Sequence, residues 1–489
     1  MSLEGRRRWL ALLVLCFGDL MIVLDATIVN VALPSIRADL GFSETSLAWV
    51  VNAYLLTFGG FLLLGGRLGD LFGARRVFLI GLTLFTIASL ACGLAGSQEF
   101  LVGARAVQGL GGALVSVVAL SLTMIMFTEP AERAKAMGIF GFVLSGGGTA
   151  GVLLGGVLTD LLSWNWIFLV NIPVGAAVVA LSLVLLPAER GPAEGGRLDI
   201  AGAVTVTASL MVAVYAIVNG NETGWTSGQT LGLLIAAAAL LVSFVGIEAR
   251  ARSPLIPLAL FRLRNVTTAN VVGVLMAGGM FAAFFLSALY LQQVLGYTPL
   301  EVGLAYLPST VVWGAVSFGL SDKLVMRFGI KPPLVVGLSL MAVGILLFAR
   351  APVDGNFAVD VLPGMLLQGF GAGIGFNPIL LAAMGDVEPR KAGLASGIVN
   401  TSFMMGGALG LAVLASLAAS RTDALLASGD GSLTALTGGY HLGFLVGAIF
   451  AGAAAALGGL LLRAGLEAPT HEGDEARAVP ATAEAGRSD

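Results

Sequence analysis

Residues 9–34 read WLALLVLCFGDLMIVLDATIVNVALP, a stretch long enough to cross a bilayer that nevertheless contains two aspartates, Asp19 and Asp25. A transmembrane helix needs about 20 mostly apolar residues. A carboxylate at the centre of such a helix costs roughly 2.5–3.5 kcal/mol on insertion scales. Carboxylates that accept this cost serve proton relays, ion or substrate sites, or counter-ions. The stretch therefore predicts a membrane span that carries a functional acidic residue.

The composition of the whole chain extends this prediction. Of 489 residues, 57% are hydrophobic and 11% are charged, whereas soluble domains contain about 25% charged residues. We therefore expect a polytopic membrane protein. The two cysteines, Cys16 and Cys92, lie in apolar segments and are interpreted as packing residues. No cluster of cysteine and histidine indicates a metal site. The N-terminal apolar run of about 25 residues is longer than the 7–15 residues typical of a signal peptide and is expected to stay as the first span.

Fourteen apolar segments are predicted to be spans, near residues 10–33, 47–65, 77–95, 100–126, 137–159, 167–186, 200–218, 231–247, 266–294, 302–320, 333–349, 361–384, 392–418 and 440–462. An even number of spans puts both termini on one side of the membrane. That side carries every basic residue except Arg37, Arg105, Arg350 and Arg421. The positive-inside rule then predicts that both termini are cytoplasmic.

Two loops share one pattern, which indicates an internal repeat. Residues 67–75 read RLGDLFGAR and residues 323–331 read KLVMRFGIK, and downstream QGLG at 108–111 matches QGFG at 368–371. Repeated halves with a site between them are typical of alternating-access transporters. We predict four parts, namely a six-helix bundle at 1–187, a linker with two extra helices at 188–265, a second six-helix bundle at 266–463, and a disordered cytoplasmic tail at 464–489.

Four stretches carry a family resemblance: LDATIVNVALP at 24–34, GRLGDLFGARR at 66–76, RAVQG at 105–109 and WNWIFLVNIP at 164–173. They resemble the major facilitator superfamily, and specifically its fourteen-span drug/proton antiporter branch, the multidrug resistance exporters. The resemblance implies an all-α integral membrane fold with two six-helix bundles and two additional central helices. The sequence departs from the family pattern at Leu71 and Ala74, where basic residues are usual, and at Val152, where proline is usual.

The resemblance also implies roles for motif residues. Asp25 is our candidate for the proton-coupling carboxylate, and Arg105 is expected to assist it, with a purely structural anchor as the alternative. The loop residues Gly66, Asp70, Gly73, Arg75 and Arg76 are expected to gate the cytoplasmic side, or else to form only a positively charged turn. The glycine stripe, defined as Gly147, Gly151 and Gly155, falls on one helix face and is expected to act as a packing hinge that meets the other half.

Other polar or aromatic residues at membrane depth are candidates for a substrate cavity. Asp19 belongs to no family motif, so it is assigned to substrate binding or to a local hydrogen bond. For any single candidate, interfacial anchoring or a hydrogen bond between helices is the alternative role. The candidate cavity residues are Asp19, Asn30, Tyr54, Gln108, Gln292, Trp313 and Asn400.

We therefore predict a proton-coupled exporter of small lipophilic drugs or antibiotics in the cell membrane. A proton-coupled uptake symporter is the first alternative, because the direction of transport depends on coupling rather than on fold. A polytopic membrane enzyme is the second, although no loop offers paired carboxylates or a nucleophile with a base. We expect a monomer that contacts membrane lipid, binds protons and a small molecule but no nucleic acid, and uses the proton gradient without a metal or other cofactor; no P-loop for ATP is present.

Overall fold

The computed structural model describes residues 3–127, 129–186, 199–251, 254–387 and 392–463. All regular structure within these ranges is helical. The long helices are α1 (Leu3–Leu40), α2 (Trp49–Phe72), α3 (Ala74–Gly93), α4 (Gln98–Met126), α5 (Pro130–Leu161), α6 (Asn171–Leu185), α7 (Ile200–Thr223), α8 (Gly228–Arg250), α9 (Arg264–Leu289), α10 (Pro299–Gly319), α11 (Lys331–Phe348), α12 (Leu362–Gly385), α13 (Ala392–Ala427) and α14 (Ser432–Leu461).

Shorter helical segments flank several of these helices. Two of them are π-helical, Tyr290–Val294 after α9 and Phe357–Val361 before α12, and Leu258–Arg262 is a 3-10 helix. The remaining short α-helices are Glu44–Leu47, Trp166–Leu169 and Ser321–Phe328.

Each predicted span largely coincides with one long helix, but several helices extend further. For example, α1 runs from Leu3 to Leu40 where the predicted span was 10–33, because hydropathy marks only the part of a helix that lies in the hydrocarbon. By length and apolar composition, 12 helices of the described ranges can cross a membrane, and a bent pair, Pro299–Ser317 with Ser321–Phe328, raises this to 13. The chain is therefore a multi-pass membrane protein, while the count of fourteen spans stays a prediction.

Two turns recur in both parts of the chain. Gly73 and Gly329, which follow the matching Leu-x-x-x-Phe patterns, have φ of +91° and +77°. Gly41 and Gly296 both have φ of +72°, and each precedes a helix that begins with a capping box, from Ser43 and from Thr298. Glycine adopts positive φ without the steric penalty of a Cβ. The second pair of turns shows that the repeat continues outside the segments in which the sequence displayed it.

Helix packing follows the same repeat. In the first part of the chain α1 packs against α5 and α6, and α4 packs against α2 and α3; in the second, α9 packs against α13 and α14, and α12 packs against α10 and α11. Between them, α5 contacts α10 and α2 contacts α13. In the repeat, α2 corresponds to α10 and α5 corresponds to α13. The contact of α5 with α10 is therefore equivalent to the contact of α13 with α2, with the two halves exchanged. Such reciprocity is the property of a pseudo-two-fold arrangement.

The two helices of the predicted linker lie at one side of this arrangement. α7 contacts both α2 and α13, and α8 packs mainly against α7. Most side chains of α8 are exposed although the helix is apolar, so it presents them to lipid. The exact division at 187/188 and 265/266 stays a prediction, and the predicted tail at 464–489 lies outside the described residues.

Candidate functional site

The centre of the candidate site is an ion pair between α1 and α4. Asp25 is 1% exposed and Arg105 is 0% exposed. The Nη1 atom of Arg105 donates a hydrogen bond to Oδ2 of Asp25. A buried charge is tolerated only when it is paired and hydrogen-bonded, because removal from water costs several kcal/mol per ion. The two residues that the resemblance singled out are therefore in direct contact.

Three further side chains complete a network around the carboxylate, to which we refer as the Asp25 network. Gln108 Nε2 donates to Asp25 Oδ1 at 2.7 Å and to Ser89 Oγ at 2.8 Å. Asn171 Nδ2, at the start of α6, donates to the same Oδ1 at 3.2 Å. Gln108 Oε1 in turn accepts from Arg105 Nη1 at 2.6 Å. Both oxygens of Asp25 are thus bound by residues of α4 and α6.

The guanidinium of Arg105 also holds α2. Its Nε atom donates to the Val50 carbonyl at 2.9 Å, and its Cζ lies 4.4 Å from the centre of the Tyr54 ring and 5.5 Å from that of Phe168. Cation–π contacts of this kind strengthen when they are desolvated. Gly109 permits the close approach, because a Cβ there would meet the Tyr54 carbonyl. One arginine therefore connects α1, α2 and α4.

Two members of the Asp25 network were not selected from the sequence. Asn171 lies in the 164–173 stretch that carried part of the resemblance, so its position was quoted but no role was inferred. Ser89 gave no signal, because a serine in an apolar span usually returns its hydrogen bond to its own helix. Ser89 does so, donating to the Phe85 carbonyl at 2.8 Å, and its oxygen still accepts from Gln108.

Asp19 has a separate location and a different partner. It is 4% exposed, and Ser116 Oγ of α4 donates to its Oδ1. Six residues separate Asp19 from Asp25, so the two carboxylates point about 120° apart around α1. Asp19 thus makes a hydrogen bond, but to another helix rather than locally within α1, and its role in substrate binding stays a prediction.

The other predicted cavity residues are spread along the bundle rather than gathered. Gln108 belongs to the Asp25 network, and the Tyr54 ring packs against Arg105. Asn30 Nδ2 donates to carbonyls of its own helix, at Ala26 and Thr27, both at 3.3 Å. Asn400 is half-buried and Trp313 is 36% exposed. Their assignment to a substrate cavity stays a prediction.

Gln292 lies instead among hydrogen bonds that connect the two parts of the chain, at the end where α1 and α9 finish. We refer to the contacts of Gln292 and Gln293 with Val31 and Arg37 as the clasp. Gln292 Nε2 donates to the Val31 carbonyl at 2.9 Å. Its neighbour Gln293 accepts at Oε1 from Arg37 Nη1 at 3.2 Å and from the Tyr440 hydroxyl at 3.1 Å. Both glutamines belong to the π-helical turn Tyr290–Val294, and such turns are frequent at functional sites.

The predicted gating loop is shorter than the motif suggested. Gly66 and Asp70 lie within α2, and only Gly73 forms the turn; the side chain of Asp70 lies outside the described part of the chain. Arg75 Nη2 donates to the Leu183 carbonyl near the end of α6 at 2.6 Å, and Arg76 is exposed. Arginine at a helix C-terminus satisfies free carbonyls and complements the helix dipole. The gating role itself stays a prediction.

The glycine stripe contacts a helix of its own half, which corrects the expectation that it meets the other half. A Cβ on Gly151 would lie 3.0 Å from the Leu24 carbonyl oxygen, and one on Gly155 would lie 2.7 Å from the Ile28 carbonyl oxygen, both in α1. The neighbouring Gly156 makes the contact with α10, where its Cβ would lie 2.7 Å from the Pro299 carbonyl oxygen. Adjacent faces of α5 therefore serve the two contacts, a division that spacing along one helix does not reveal.

Comparisons with known proteins identify the family of this chain. A family model described as Major Facilitator Superfamily matches residues 15–411. Puromycin resistance protein pur8 of Streptomyces alboniger is 37% identical over 478 residues, which cover 97% of this chain and 95% of that protein. Cephamycin export protein CmcT of Amycolatopsis lactamdurans is 38% identical, with 84% of this chain and 85% of that protein covered.

Solved structures share the fold at low sequence identity. A bacterial homolog to the human lysosomal transporter Spinster, in an inward-facing and unoccupied conformation, has a TM-score of 0.63 at 17% identity, covering 94% of this chain and 97% of that one. An auto-inhibited peptide transporter of the POT family has a TM-score of 0.65 at 15% identity, covering 91% of this chain and 96% of that one.

Proposed function

The chain belongs to the major facilitator superfamily and is a transporter rather than an enzyme, and we propose that it exports small lipophilic drugs or antibiotics in exchange for protons. The family membership rests on the match over residues 15–411. Relatives whose names describe puromycin resistance and cephamycin export support efflux over uptake. The observation that carries proton exchange is the buried Asp25–Arg105 pair, because a carboxylate inside a membrane span is the usual device for moving protons.

Protonation of Asp25 would change contacts on four helices at once. The neutral carboxyl no longer attracts Arg105 as an ion, so the arginine loses the charge that balances it. Arg105 also binds the Val50 carbonyl of α2, and Asn171 of α6 binds the same carboxylate. Gain or loss of one proton therefore alters how α1, α2, α4 and α6 are held together, which links protonation to helix movement.

The proposal includes a direction and a topology. We place both termini in the cytoplasm, because the basic residues concentrate on that side. In this arrangement the halves at 1–187 and 266–463 rock about the contacts of α5 with α10 and of α2 with α13, with the linker helices at their side. The clasp between Arg37 and Gln293 then lies at the outer face.

The test is transport by Asp25→Asn in proteoliposomes with an imposed proton gradient, with puromycin and a cephamycin as probes. We expect wild-type protein to accumulate at least one probe against its concentration gradient and Asp25→Asn to lose this accumulation. Probe exchange across vesicles without a gradient should persist, because it needs no net proton movement. Asp160→Asn, which changes an exposed carboxylate at the end of α5, is the matched control. Gradient-driven accumulation by Asp25→Asn at the wild-type level would contradict the proposal.

A further inference from the structure

Asp19 is a buried carboxyl that is not part of the Asp25 network. Its hydrogen-bonding partner is the hydroxyl of Ser116, and no lysine, arginine or histidine of the described ranges pairs with it. Asp25, by contrast, has a guanidinium and two amides. An ion buried without a countercharge is strongly unfavourable. A carboxyl with one hydroxyl partner is therefore suited to carrying a proton rather than a permanent charge.

The residues that flank Asp19 on α1 have apolar neighbours. Gly18 faces Phe78 of α3 and Val178 of α6. Leu20, the next residue, and Val23, one turn after Asp19, face Gly147 of α5. Among the described residues, Cys16, one turn earlier on α1, and Tyr54 of α2 are titratable groups that interact with Asp19 electrostatically. None of these groups supplies a positive charge.

The Tyr54 hydroxyl of α2 lies between the levels of Asp25 and Asp19 along α1. At 1.5 Å per residue, Asp19 lies about 9 Å along α1 from Asp25, toward the end where α1 begins. The Tyr54 hydroxyl stands at the intermediate level, donating to the Ile22 carbonyl at 3.4 Å. On α4 a Cβ at Gly112 would lie 3.2 Å from that hydroxyl, and Ser116 is one turn beyond Gly112. The same Cβ would lie 3.2 Å from Phe58 Cδ2 and 3.4 Å from Ile22 Cγ2, so glycine at this position lets the Tyr54 hydroxyl approach α4 closely.

We infer that Asp19, positioned by Ser116, is a second proton-carrying residue that exchanges protons between Asp25 and the end of the bundle where α1 begins. This inference rests on the proposed proton coupling and adds a route to it. One carboxyl loses its O–H bond as the other gains one, so the transfer neither oxidises nor reduces either group. Asp25 is enclosed by its network, so a proton that reaches it needs such an intermediate acceptor.

The first experiment compares Asp19→Asn, Asp19→Glu and Ser116→Ala in proteoliposomes. Asparagine has nearly the shape of aspartate, and its carbonyl can still accept from Ser116, but it carries no acidic proton. We expect Asp19→Asn to lower proton-driven accumulation of puromycin about 100-fold or more, the lower end of the range for positioned acid–base groups, while exchange without a gradient stays close to wild type. Asp19→Glu should recover part of the loss. Ser116→Ala should retain accumulation with a shifted pH profile.

The second experiment detects protonation of the Asp19 carboxyl directly, without a transport assay. Infrared difference spectra of the purified protein across a pH titration should contain a protonated-carboxyl band that is absent in Asp19→Asn. An identical titration of wild type and Asp19→Asn would overturn the inference, as would wild-type accumulation by Asp19→Asn. If wild type itself accumulates no probe, the proposed function fails, and the infrared band then decides separately whether Asp19 exchanges a proton.

Discussion

A methyl group at Gly151 tests the contact between α5 and α1 beside the Asp25 network. In Gly151→Ala the new Cβ would lie 3.0 Å from the Leu24 carbonyl oxygen and 3.2 Å from the Leu24 Cα, and it would also meet Thr27 Oγ1. The threonine side chain can rotate, but the backbone of Leu24 moves only if α1 moves. Leu24 precedes Asp25, so the displacement reaches the carboxylate directly.

The expected size follows from a comparison with Gly148 on the same helix. A Cβ on Gly148 has nothing within 4 Å, so Gly148→Ala should gain the helix propensity of alanine, about 0.8–1.0 kcal/mol. Gly151→Ala gains the same propensity but adds overpacking, which typically costs about 1–3 kcal/mol. The difference between the two variants isolates the overpacking, and we expect Gly151→Ala to be the less stable by about 1–3 kcal/mol.

Two assays measure the difference between Gly151→Ala and Gly148→Ala. Thermal unfolding of the detergent-solubilised variants should give a lower midpoint for Gly151→Ala than for Gly148→Ala. Proton-driven accumulation in vesicles should fall in Gly151→Ala and stay near wild type in Gly148→Ala, because only the former displaces α1. Equal stability and equal transport of the two variants would refute the close contact of α5 with α1.

Two further predictions concern the charge pair and the clasp. Arg105→Lys should abolish proton-driven transport and lower the thermal midpoint, because one ammonium cannot bind Asp25 and the Val50 carbonyl with the planar geometry of a guanidinium; unchanged transport would show that position 105 needs only a positive charge. Gln293→Leu should remove one acceptor of Arg37 and increase labelling by impermeant thiol reagents of a cysteine placed at Val31; unchanged labelling would show that the hydrogen bonds of Gln293 do not hold this end closed.

The sequence predicted the helical fold well because the bilayer imposes it. Backbone groups in hydrocarbon must bond within their own segment, so an apolar run of sufficient length becomes a helix. The same physics explains the limits of the prediction. Hydropathy does not see that α1 continues to Leu40 or that Gly66 lies inside α2, because both depend on helix propagation beyond the apolar segment.

The candidate site was predictable in part. Asp25 and Arg105 stood out because charges are rare in spans, and the structure joins them. The partner of Asp19 was not predictable, since Ser116 is 97 residues away along the chain and serine is common in spans. The partner of the glycine stripe was also hidden, because spacing shows that residues share a face but not which helix that face meets.

The repeat has one consequence for the roles of the two halves of this transporter. The helix contacts of the two halves are duplicated, whereas the charge is not, because the position that matches Arg105 through the QGLG and QGFG stretches is the buried Met365. Under the proposed proton coupling, the buried Asp25–Arg105 pair confines the energy-transducing chemistry to the first half. The second half then keeps the mechanical frame, and its side chains are free to diversify toward other substrates without altering that pair.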